Sequence, residues 1–190
     1  MNKTKRKIFE ASMKLFAEKG YDATSIEEIT ATVGVAKGTL YYHFSSKEEI
    51  FNFLIEEGMK LLKNSIAIKT EKVDNYLDKL RAIILIQIKV IARYENLMTI
   101  VLSQVWGTEK RNNRCRELVF EYIKTIEKIV EEGIAKGEIV NKNPEMIASE
   151  IFGSTCSCLI YKLKNNETID IQKVYTEFED MVIKGLENTK

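Results

Sequence analysis

One proline, one histidine and one tryptophan stand among 190 residues, and 28 acidic side chains almost cancel 29 basic ones. Each scarcity excludes something. With Pro144 as the only helix-breaking residue of its kind, and no sustained alternation of Val, Ile and Thr, the expected fold class is all-α. The three cysteines are an odd number and read as reduced thiols rather than as a disulfide framework. Cys156 and Cys158 sit two apart, which on a helix turns them to different faces, and His43 is remote in sequence, so neither metal nor cofactor is expected. The most apolar run, Ala82 to Ala92, is broken by Gln87 and Lys89 and is about half the roughly 20 residues of a membrane span. Glu10 and Lys14 interrupt the basic start before any apolar stretch of secretory length, so a signal peptide is not expected and the chain reads as cytoplasmic. The near-zero charge does not announce nucleic acid; residues 1 to 48 carry eight basic against six acidic side chains, a small positive excess.

What is present is a globular balance, 45% hydrophobic and 30% charged. Ile8, Ala11 and Leu15, flanked by Phe9, Met13 and Phe16, form an apolar stripe that predicts a first helix over 3 to 19, stopped by Gly20. Ser25 with Glu28 is a capping box that opens a short second helix, and Gly34 ends it after two turns. A third helix runs from Lys37 to about Phe44. Ser45 with Glu48 and Ser46 with Glu49 offer two overlapping boxes for a fourth, to about Asn64. Further helices are expected at about 73–94, 96–107, 111–136, 144–164 and 171–187, about nine in all. Gly58 lies inside the fourth, as a bend or as a point of close packing.

The second and third helices, joined at Gly34 and pinned by Ile29, Val33, Val35 and Leu40, meet the description of a helix-turn-helix. Leu40 and Phe44, four apart, face inward and leave Lys37, Thr39, Tyr41, Tyr42 and His43 mostly outward. Lysine, tyrosine and histidine donate to phosphates, threonine offers a hydroxyl or methyl to base edges, and Gly38 clears a path for the backbone into a groove.

The run from Arg6 through Ile8, Ala11, Leu15, Phe16, Gly20, Tyr21, Thr24, Ile26, Ile29, Gly34 and Val35 to Gly38, Thr39, Leu40, Tyr41, Tyr42, His43, Phe44, Lys47 and Ile50 resembles the TetR family of bacterial regulators over about a quarter of the chain. The resemblance implies Thr39 and Tyr41 at bases, Lys37, Tyr42, His43 and Lys47 at phosphates, and a homodimer formed through the last two helices. One departure is Ala36, where the family often carries serine or threonine, which leaves the start of the reading helix without a side-chain cap. The organisation expected is a DNA-binding domain over 1–47 and a helical effector-binding and dimerisation domain over 48–190.

The helix over 73–94 is apolar nearly all round and reads as the central helix of the second domain. Near it, Gln87, Arg93, Tyr94, Met98, Gln104 and Trp106 are the candidates for a mostly apolar effector cavity with a few orienting polar groups. Gly153 and Ser157 on one helix, with Tyr175, Phe178, Val182 and Leu186 on the next, are the candidates for dimerisation. The function expected is a repressor released from operator DNA by a mainly apolar small molecule, rather than by an ion or nucleotide. Two other classes stand beside it. An enzyme is poorly supported by one histidine, no phosphate loop after a strand and no nucleophile motif; a DNA-bound adaptor would show an exposed apolar patch and no cavity.

Overall fold

The computed structural model describes residues 2–105, 107–108, 110–165 and 168–187. Nine α-helices succeed one another among them: α1 (Lys3–Lys19), α2 (Ile26–Val33), α3 (Lys37–His43), α4 (Lys47–Thr70), α5 (Tyr76–Arg93), α6 (Glu95–Val105), α7 (Lys110–Ala135), α8 (Pro144–Lys164) and α9 (Ile171–Phe178). No strand occurs among the described residues, only one bridge between Ile139 and Glu187. The all-α expectation holds.

Two helix boundaries differ instructively from the sequence pattern. α4 runs on to Thr70, past the expected stop at Asn64, because Ile66 extends the buried stripe of Leu62 by another turn. The last element is not one regular helix. After α9 the chain widens into a π turn over Glu179–Ile183 and tightens into a 3-10 turn over Lys184–Leu186. A π turn inserts one residue per turn, so the buried series is Val174, Phe178, Ile183 and Leu186. An α period would have placed Val182 inward; the five-residue step to Ile183 leaves Val182 half-buried.

The chain divides into two compact units, Met1–Gly58 with Asn96–Leu118, and Met59–Glu95 with Val119–Lys190. In the first, α1, α2 and α3 pack on one another around Ile8, Phe16, Ile29 and Leu40, joined by Ile50, Phe51 and Leu54 of α4. Phe51 meets Phe16 at 5.6 Å and Tyr21 at 5.0 Å, both edge-on. Gly34 takes the left-handed conformation, φ 73°, which glycine adopts without a Cβ clash, and Thr30 carbonyl accepts from the N–H groups of both Gly34 and Val35. That turn sets the angle between α2 and α3. Gly58 is a point of close packing: a Cβ there would lie 2.3 Å from Leu97 Cδ2.

In the second unit α5 packs on α8 and α9 and buries Leu80, Ile83, Ile84, Ile88 and Ile91. It is the central helix that its apolar composition predicts. The end of the chain is tied down by Val140 N–H donating to Leu186 carbonyl at 3.0 Å, and by Arg81, which reaches Asp78, Glu179 and Glu187 at 2.8, 2.9 and 2.9 Å.

Candidate functional site

The construction of α3 begins one helix earlier. Ser25 Oγ accepts from Glu28 N–H at 3.1 Å while the Glu28 carboxylate accepts from Ser25 N–H at 2.9 Å, so the capping box fixes the start of α2. Lys19 Nζ donates to Glu28 at 2.6 Å. This ammonium first, and then the two Ser25 donors, hold the Glu28 carboxyl at about 2, below its ordinary value near 4.5. A group whose folded pKa is depressed stabilises the fold above its unfolded pKa and loses that contribution as pH falls toward the folded one. The melting temperature is therefore expected to fall between about pH 4.5 and about pH 2 through this residue. Glu28→Gln should flatten that limb in a pH series of thermal melts, and an unchanged limb would remove Glu28 from it.

α3 itself is seven residues long, with Leu40 fully buried and Phe44 buried just beyond its end. Its N-cap, Ala36, makes no side-chain hydrogen bond, as its methyl dictates. Around Leu40 the outward set is the one the spacing predicts. Lys37, Gly38 and Thr39 are exposed, Tyr41 is 46% and Tyr42 85% exposed, and His43 is half-buried with its ring edge-on to Tyr42 at 5.1 Å. Lys37 is ion-paired with Glu27 of α2, which raises the lysine pKa and lowers the glutamate's. A phosphate would have to take Lys37 from that carboxylate.

Lys47 is placed differently from a free cation at a DNA face. Its ammonium donates to the carbonyls of Tyr21 and Thr24, both at 2.9 Å, and lies 4.3 Å above the Tyr21 ring. Its donors hold the turn between α1 and α2 against the start of α4. Removing them takes a donor from each of two carbonyls, so Lys47→Met is expected to cost about 1–2 kcal/mol of stability. It should weaken DNA binding at every salt concentration without lowering the salt slope, whereas a residue that neutralises a phosphate would, on removal, lower the slope by about 1. A salt titration of affinity separates the two.

Of the effector candidates, Gln87, Arg93 and Tyr94 belong to the second unit and Met98 and Gln104 to the first; Trp106 lies outside the described residues. Gln87 is buried, Arg93 is exposed with its guanidinium 5.7 Å from the Tyr94 ring, and Met98 is buried. Gln104 carbonyl accepts from Asn112 Nδ2 at 2.9 Å, which ties the last turn of α6 to the first turn of α7. Of the dimerisation candidates, Gly153 and Ser157 are exposed and Tyr175 and Val182 half-buried, while Phe178 and Leu186 are buried within their own chain.

Residues 8–54 match the family profile described as bacterial regulatory proteins, tetR family, and residues 73–159 the profile described as tetracyclin repressor-like, C-terminal domain. A solved structure of a Clostridium perfringens protein provisionally assigned as a fatty acid metabolism regulator is similar at 35% identity and a TM-score of 0.89, over 94% of this chain and 97% of that one. The chain belongs to the TetR family. This TetR-family protein is also similar to the fatty acid metabolism regulator protein of Bacillus subtilis, 24% identical over 183 residues, 95% of this chain and 94% of that one. The fold recurs in the crystal structure of FadR from B. subtilis in complex with stearoyl-CoA, with 23% identity and a TM-score of 0.83 over 95% and 98% of the two chains. Membership accounts for DNA-binding transcriptional regulation and not for an enzyme. No helix among the described residues is long and apolar enough to cross a membrane.

Sequence reasoning about this TetR-family protein missed Tyr122, a fully buried hydroxyl on α7 that takes a hydrogen bond from Gln87 Nε2 at 2.7 Å. Its signal was present: Tyr122 lies four residues from both Leu118 and Ile126, on the inward stripe of α7.

Proposed function

We propose that the protein is a cytoplasmic, homodimeric repressor that holds operator DNA through α3 and releases it when a fatty acyl compound enters its C-terminal domain. Residues 1–47 serve as the DNA-binding domain and 48–190 as the effector-binding and dimerisation domain. Lys37, Gly38, Thr39, Tyr41, Tyr42 and His43 face the duplex, Thr39 and Tyr41 toward the bases. The observation that carries this reading is Gly38. It sits inside a helix, where glycine costs about 1 kcal/mol against alanine, yet an added Cβ would meet nothing within 4 Å. The protein's own packing gives no reason for a glycine, whereas a duplex against α3 does.

Gly38→Ala should accordingly raise stability by about 0.5–1 kcal/mol and weaken operator binding. Thermal melts and fluorescence anisotropy on a duplex chosen from a randomised pool measure both. Unchanged affinity would remove Gly38 from the interface.

Dimerisation is supported on α8 by a second glycine of the same kind. Gly153 is helical, exposed and without a neighbour within 4 Å of its Cβ position. Met146, Tyr161 and Met181 are 67%, 69% and 82% exposed on α8 and the π turn. Light scattering is expected to give twice the chain mass, and Tyr161→Asp to shift it toward one chain; an unshifted mass would place the interface elsewhere.

The acyl reading rests on the apolar interior of the second unit and on the stearoyl-CoA held by the B. subtilis relative. Such a ligand joins an apolar chain to a nucleotide, so it meets the apolar half of the expectation and adds a polar half. Moving a two-state repressor from 1:99 to 99:1 requires a preference of about 5.5 kcal/mol. At about 0.8 kcal/mol per buried methylene, roughly seven methylenes bound in only one state reach that figure, well within a long acyl chain. Hexadecanoyl-CoA added to the operator complex should dissociate it; retention at saturating ligand would sink the reading.

A further inference from the structure

α5 crosses the second unit with one polar side chain in its buried face. Gln87 is 1% exposed and shares that face with Ile83, Ile84, Ile88 and Ile91. Its Nε2 donates to the Tyr122 hydroxyl at 2.7 Å, and the Tyr122 ring lies edge-on to Phe152 at 5.6 Å. Gln87 Oε1 has no partner. Turning the amide over does not remove the deficit: Tyr122 would then donate to Oε1, and both hydrogens of Nε2 would be left over. Either way a buried amide is half satisfied, which is a standing penalty unless something else completes it.

What would complete it follows from the surroundings. Burial pushes the Tyr122 hydroxyl and the Cys156 thiol well above their ordinary pKa values, so the interior is hostile to charge. An anionic carboxylate there would lack a compensating cation, whereas a neutral carbonyl needs only a donor.

We propose that Gln87 and Tyr122 are the polar anchor of the effector site and bind the thioester carbonyl of a fatty acyl chain, Tyr122 donating to Gln87 Oε1 and Gln87 Nε2 to the carbonyl oxygen. This rests on the reading that an acyl compound is the effector. The apolar part of the ligand lies along the isoleucines of α5, and the single carbonyl is what distinguishes an acyl chain from an alkyl one. The pair therefore sets specificity more than raw affinity, since leaving a buried polar group unpaired penalises the analogue that lacks its partner.

Calorimetric titration of the full chain with hexadecanoyl-CoA and with S-hexadecyl-CoA, the thioether that lacks only the carbonyl oxygen, tests this. The wild type should bind the thioester about 10- to 100-fold more tightly. Gln87→Leu and Tyr122→Phe should bring the ratio to within about threefold by weakening the thioester alone. The double variant Gln87→Leu with Tyr122→Phe should melt at or above the wild-type temperature, because it removes the unmet amide without leaving the buried hydroxyl unpaired. Equal binding of the two ligands by the wild type, or a ratio kept in Gln87→Leu, would reduce the pair to a structural one holding a water and leave the acyl reading intact. If neither ligand binds and neither releases DNA, both the anchor and the acyl reading fall.

Discussion

Phe44→Ala is expected to cost the N-terminal unit about 3–5 kcal/mol and to abolish operator binding. The side chain is 2% exposed, its ring meets Phe53 at 5.4 Å, and Lys5 Nζ lies 4.8 Å above it and 4.4 Å from Phe53. Its backbone N–H closes α3 on Leu40 carbonyl at 3.0 Å. Alanine would leave a cavity where α3 ends, and the orientation of the outward side chains depends on that end. Melting followed by circular dichroism measures the cost, and anisotropy on the selected duplex measures the fall in affinity. Phe44→Leu, which refills most of the volume, should recover most of both. A Phe44→Ala variant that binds DNA within a few-fold of wild type would show that α3 is held by Leu40 alone.

The second large effect is a substitution that helix propensity alone would recommend. Gly133 lies within α7, where alanine is ordinarily better by about 1 kcal/mol. A Cβ at this position, however, would come 2.5 Å from Ile139 Cδ1 and 2.8 Å from Tyr76 Cβ. The isoleucine methyl can swing aside, but a Cβ moves only with its backbone. Tyr76 is held there, since its N–H donates to Glu138 Oε2 at 2.6 Å. Gly133→Ala is therefore expected to destabilise despite its propensity, and Gly133→Val to cost about 1–3 kcal/mol or more. Urea unfolding midpoints decide the sign. A stabilised Gly133→Ala would contradict the close approach of α7 to the start of α5.

The parts of the fold that the sequence made legible are those written in short range. Ser25 with Glu28 and the Leu40–Phe44 spacing each refer to residues within one helical turn, so both the capping box and the outward face of α3 could be read directly. At the next helix two overlapping boxes were readable, and only one of their glutamates is used: Ser46 Oγ accepts from Glu49 N–H, while the Glu49 carboxylate accepts from Ser45. What stayed illegible depends on distant partners. Lys47 finds its carbonyls 23 and 26 residues back in the chain, and nothing in the local pattern around it announces that. Phe178 and Leu186 have the bulk of interface residues, yet they are buried within their own chain, and the π turn between them sets Ile183 rather than Val182 on the same inward face. Gln87 could be singled out as a polar residue on an apolar helix, but its significance needed Tyr122, which is 35 residues away.

A seven-residue helix that buries a single side chain, Leu40, has few positions at which folding constrains its composition. The residues that would meet the duplex are thus almost wholly exempt from the demands of the core, and the core is almost wholly indifferent to them. On the proposed reading, lineages descending from such a chain would drift in operator preference by single substitutions at Thr39 or Tyr41 without passing through unstable intermediates, whereas the isoleucines of α5 would answer to stability and ligand at once. Divergence should accordingly be faster in which genes are controlled than in what is sensed.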